Sequence, residues 1–104
     1  MFRKSPPRDN ELAAPPEALA SDPGVEVLRA WIINKGLQCS IRVGERDNEA
    51  VFWGVLISDV ARHAADALHK QRGWPQQESL HKIQEVFNRE LQSPTAETSG
   101  DFIR

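Results

Sequence analysis

Cysteine is nearly absent from this chain of 104 residues, Cys39 being the only one. No internal disulfide can form, which agrees with a reducing compartment. Long apolar runs are missing too. The longest, Ala50–Ser58, is interrupted by Gly54 and falls well short of the roughly 20 residues that span a bilayer. Arg3, Lys4 and Arg8 give a basic start, but Pro6, Pro7, Pro15 and Pro16 stand where a secretory signal would carry its apolar segment. A cytosolic location without membrane attachment is therefore expected. Neither sign of charge dominates: 13 basic and 15 acidic residues leave a net charge of −2. That balance argues against nucleic acid as a partner, because nonspecific phosphate binding needs a basic surface. Gly24, Gly36, Gly44 and Gly54 stand alone rather than in a phosphate-cradling loop, and there are no internal repeats. No cofactor is implied.

What is present reads as one domain with two tails. Residues 1–24, rich in Pro, Ala and charge, read as a flexible arm with a single turn near Pro16–Ala20. Residues 25–92 form the α+β body. Residues 93–104 begin with Ser-Pro and read as a C-terminal tail, from which Phe102 and Ile103 can dock on the body.

Val25–Asn34 predicts a strand. Val27, Trp31 and Ile33 alternate with Leu28, Ala30 and Ile32, and a strand apolar on both faces is expected to lie centrally or be covered twice. In Leu37–Val43, Leu37, Cys39, Ile41 and Val43 point one way while Gln38, Ser40 and Arg42 point the other. Asn34-Lys35-Gly36 links the two as a hairpin, with Gly36 expected to take the positive φ. By parity, Arg29 and Arg42 are expected on opposite faces.

A long helix is predicted from about Asn48 to Arg72. Asp47 or Asn48 is the expected N-cap and Glu49 suits the positive end of the dipole. Gly73 offers a left-handed stop, with Pro75 beyond it. Phe52, Leu56, Val60, Ala64, Ala67 and Leu68 make an apolar stripe. Gly54 within it costs roughly 1 kcal/mol relative to Ala, a cost that close approach by the sheet or another helix would offset. A second helix spans about Gln76–Gln92, with Leu80, Ile83, Phe87 and Leu91 in register. Glu78–Lys82 and Glu85–Arg89 are its expected i,i+4 pairs.

The expected order is thus β-β-α-α, a β-hairpin followed by two helices packed on a small antiparallel sheet. Two strands and about 68 residues make a limited core. Val27, Trp31, Phe52, Trp53 and Leu56 are the expected core or interface anchors. The sheet is expected to be completed across a homodimer, because unpaired edges invite a second chain. Another protein is the alternative partner.

Candidate chemistry gathers on the long helix. Asp59, His63 and Asp66 share one flank, where a carboxylate can orient an imidazole for base catalysis or ligand binding. The spacing is far less specific than H-E-x-x-H. Arg62, i+3 from Asp59 and i−4 from Asp66, makes an ion-pair ladder the stronger reading. No catalytic or metal-ligating residue is assigned. Cys39 reads as a buried, inert thiol.

The segments VLRAWIINKGLQCSIRVG and FWGVLISDVARHAADAL together resemble a small bacterial family of uncharacterised domains of similar length. The resemblance covers about Val25–Leu68 and centres on a strand pair followed by Trp53-Gly54 and the Asp59-x3-His63 helix. It implies the fold and no established activity. The function expected is that of a noncatalytic domain that self-associates or binds another protein, with a small-ligand or metal-binding enzyme using His63 and Asp59 as the alternative.

Overall fold

The computed structural model describes residues 10–95 and 99–103. The body is α+β: strands β1 (Leu28–Ile33) and β2 (Gly36–Arg42), helices α1 (Glu49–Arg72) and α2 (Gln76–Gln92), then strand β3 (Ser99–Ile103). Before β1, the turn expected near Pro16 is a 3₁₀ turn at Pro16–Leu19.

The hairpin forms, with Ile33 opposite Gly36 and Leu28 opposite Ile41. Its turn differs from expectation. Asn34 and Lys35 carry the positive φ values, 52° and 68°, rather than Gly36. Two consecutive left-handed residues are what a type I′ turn requires, and its twist matches that of the flanking strands. Asn tolerates this conformation, but Lys35 adopts it against its own Cβ.

β3 is an addition to the expected pair of strands. It lies parallel to β2, with Ser40 opposite Asp101 and Arg42 opposite Ile103. The sheet order is β1-β2-β3, so it is mixed rather than antiparallel. A parallel partner needs a long crossover, which the two helices supply. The doubly apolar strand β1 is therefore an edge, and β2 is the centre. β3 has little sequence signal because three of its five residues, Ser99, Gly100 and Asp101, are poor strand formers.

α1 ends as predicted. Gly73 sits at φ 72° and donates its N–H to the His69 carbonyl at 2.9 Å. Its start differs: Asn48 precedes the helix but makes no side-chain cap. Gln76–Gln92 is helical as expected, yet Lys82 pairs with Glu85 at 2.8 Å rather than with Glu78. The two helices fold back on each other across Gly73–Pro75, and Leu68 of α1 lines one groove with Ser79 and Ile83 of α2.

Among the described residues, no Cα of a strand lies within 8 Å of a helix Cα; the elements that meet are β1 with β2, β2 with β3, and α1 with α2. Ala65, between the helices, is the one fully buried apolar residue described. The predicted anchors Val27, Trp31, Phe52, Trp53 and Leu56 are each half-buried.

Candidate functional site

The predicted constellation on α1 is divided among local ion pairs. Arg62 donates to Asp59 Oδ1 at 2.6 Å, both side chains being well exposed. Asp66 is held instead by Lys70, Nζ to Oδ2 2.8 Å, one turn on. The ladder through Arg62 therefore closes on Asp59 only. Lys70 draws the Asp66 carboxyl below its ordinary range, with smaller contributions from the His63 and His69 imidazoles. His63 is exposed. Among the described residues, no three His, Cys, Asp or Glu side chains are grouped to hold a metal ion. His69 is committed elsewhere, its Nδ1 lying 3.0 Å from the Trp74 carbonyl.

A second cluster, which sequence reasoning missed, joins the sheet to α1. Glu49 Oε2 accepts from the Gly44 N–H at 2.9 Å and from Trp53 Nε1 at 3.1 Å, while Oε1 accepts from Arg46 at 2.9 Å. The Arg46 guanidinium lies 4.0 Å from the Phe52 ring centroid, and Phe52 meets Trp53 edge-on. The Gly44 N–H, opposed by partial burial and aided by Arg46, holds the Glu49 carboxyl below its usual range. The signal was present: Arg46, Glu49 and Trp53 are spaced i−3, i, i+4. These bonds fix how the helix leaves the strand. They occupy the carboxylate, so the cluster is a brace.

The sheet carries an exposed apolar row. The register puts Leu28, Ala30 and Ile32 of β1 beside Ile41, Cys39 and Leu37 of β2, all on one face. Every one of these side chains is apolar or a thiol, and Cys39 and Ile41 are half-buried. Ile32 is 83% exposed, and Leu28 and Leu37 are exposed as well. The opposite face holds Arg29, Trp31, Gln38 and Ser40. Arg42, which follows Ile41, falls on that face with Arg29, correcting the expected parity. Glu26 engages both cations: its carboxylate accepts from Arg29 at 3.0 Å and its carbonyl from Arg42 at 3.1 Å. Glu11 adds a second carboxylate to Arg29 at 3.3 Å. Arg29 is thus paired with two carboxylates, while Arg42 is held by a backbone carbonyl.

One concavity is described at the other end of the helices. Leu68, Trp74, Pro75, Glu78, Ser79, Lys82 and Ile83 line an open groove of about 450 Å³. Arg72 stacks on Trp74 at 4.8 Å from the ring centroid. The groove contains none of Asp59, His63 or Asp66. No described helix is long and apolar enough to cross a membrane.

The chain belongs to a family described as a domain of unknown function, DUF5076, whose pattern matches residues 11–95. That agrees with the resemblance read from the strand pair and the Trp53-Gly54 helix. No curated protein matches. A solved structure from the photosynthetic bacterium Rhodopseudomonas palustrus CGA009, described as a "putative pyruvate dehydrogenase", is 33% identical. The match covers 90% of this chain and 93% of that one, with a TM-score of 0.64.

Proposed function

We propose that this DUF5076 chain is a noncatalytic module that works by self-association, as a homodimer. The observation that carries the reading is the exposed apolar row of Leu28, Ile32 and Leu37 on one face of the sheet. A helix or sheet with an apolar side is stable only when that side is buried against another layer. Soluble single chains seldom leave such a contiguous patch bare, and one that does marks an interaction site. A cytosolic location goes with this reading, since Cys39 is a free thiol of the kind reducing compartments maintain.

Chemistry at Asp59 and His63 has less support. Arg62 holds Asp59 in the open, and an exposed ion pair is not a preorganised site. The solved relative's description belongs to that protein, and no described cluster here favours pyruvate chemistry. Sedimentation velocity over a dilution series tests the proposal. The expected species has about twice the mass of 11.7 kDa at micromolar concentration. A single 11.7 kDa species throughout overturns it.

A further inference from the structure

We propose that the loop from β2 to α1, residues 43–48, is held shut by a latch that one proton opens, the latch being the Glu49 carboxylate. Opening leaves the flanking strand and helix formed and frees the loop together with Arg46. The device lies within one copy and does not depend on self-association.

The loop's hydrogen bonds share one terminus. Among the described residues, those made by residues 44–47 all end on Glu49: the Gly44 N–H donates to Oε2 at 2.9 Å and Arg46 donates to Oε1 at 2.9 Å. From α1, Trp53 Nε1–H donates to Oε2 at 3.1 Å. Asn48 adds no side-chain cap at the helix start. The one further hold on the loop is the stacking of Arg46 on the Phe52 ring.

All three partners of the carboxylate are donors. An ionised carboxylate only accepts, whereas a protonated one turns an oxygen into a hydroxyl with a proton of its own to place. A proton on Oε2 confronts Gly44 and Trp53; a proton on Oε1 confronts Arg46. Either removes at least one of the three bonds and takes the charge assistance from the others. Arg46 is the charged side chain that meets Glu49, and Glu45 and Asp47, the loop's other acids, are exposed. The Glu49 side chain is only 16% exposed, so little water stands ready to replace a lost partner.

Gly44 shows that the seat is shaped for the anion. Its backbone lies outside the left-handed region, so conformation gives no reason for glycine there. Space does. A Cβ would stand 2.7 Å from Glu49 Oε1 and 2.9 Å from Arg46 Nη1, and its absence lets the carboxylate reach the backbone N–H. That N–H holds the carboxyl below its usual range. The latch is therefore closed at neutral pH and opens as pH falls through a value below that of an ordinary glutamate.

The full-length ¹⁵N-labelled protein is titrated from neutral pH downward by NMR, with the Trp53 indole signal assigned through Trp53→Phe. The Gly44 amide and the Trp53 indole are expected to shift together with one midpoint. The Gly44 amide is expected to be protected from hydrogen exchange at neutral pH and to lose that protection on acidification while the interior of α1 keeps its own. Glu49→Gln, whose amide has a single acceptor oxygen, is expected to show the opened signals at neutral pH with helical circular dichroism retained. Gly44→Ala crowds the seat without straining the backbone and is expected to raise the indole midpoint toward the ordinary glutamate range. An unprotected Gly44 amide at neutral pH, separate midpoints for the two signals, or loss of protection in step with the whole of α1 overturns the proposal. So does an unmoved midpoint in Gly44→Ala. A Glu49→Gln protein that keeps the closed signals overturns it, and so does one that loses its helices, because the carboxylate then holds more than the loop.

Discussion

Replacing Ile32 with Thr separates a residue that holds one copy together from one that holds two copies together. Thr keeps the branched Cβ that suits a strand, so the hairpin should form unchanged. In a single copy Ile32 is 83% exposed, which leaves little burial for the substitution to remove there. Folding stability of the isolated chain should therefore change by no more than about 0.5 kcal/mol, as at other surface sites. The dimer is different. Fully burying an Ile side chain stabilises by about 1.5–3 kcal/mol, and four-fifths of that remains to be gained when a partner covers the face. A two-fold interface contains the position twice, so Thr should cost the dimer about 2.5–5 kcal/mol, a dissociation constant about 60- to 4,000-fold weaker at 1.4 kcal/mol per decade. Sedimentation equilibrium over a wide dilution range measures the dimer constant. Urea unfolding at a dilution where both proteins are monomeric measures the chain. An unchanged dimer constant would refute the assignment of this face to the interface. A loss of several kcal/mol in the monomer would refute the premise that the face is open within one copy.

Two further outcomes follow from local geometry. Glu49 has its carboxyl pKa lowered in the fold, chiefly by the Gly44 N–H. Stability linked to a depressed carboxyl is fully present above the unfolded value of about 4.3 and is lost as pH falls through the folded value. Wild type should therefore exceed Glu49→Gln in urea midpoint near neutrality, with the gap closing on acidification toward about pH 3; a gap that widens on acidification contradicts the brace. Lys35 holds a φ of 68° in the hairpin turn, and Gly takes that conformation without steric cost. Lys35→Gly creates the Asn-Gly pair preferred in type I′ turns and should raise stability by about 0.5–1 kcal/mol. A lower melting temperature would show that the Lys35 side chain contributes more than its backbone strain removes.

Only part of the candidate chemistry was legible. The i+3 pairing of Arg62 with Asp59 was readable from spacing, because helix geometry makes such residues neighbours. That Lys70, not Arg62, takes Asp66 was not, since two cations lay within reach and spacing alone does not choose between them. The brace at Glu49 crosses a loop, and loop geometry decides whether the Gly44 N–H points at the carboxylate.

By itself the sequence determined the local elements: the alternation of Leu37–Ile41, the apolar period of α1, its stop at Gly73, and the restart after Pro75. Those signals act over a few residues, through sterics, backbone hydrogen bonds and the repeat of each element. Tertiary structure alone decided that β2 is the central strand and that Ser99–Ile103 returns to lie parallel to it. The apolar pattern of β1 shows why. Alternating apolar residues on both sides report that both faces avoid water, but not whether the cover comes from the same chain. That depends on where the chain returns and on the angle set between Gly44 and Glu49, which no short-range pattern encodes.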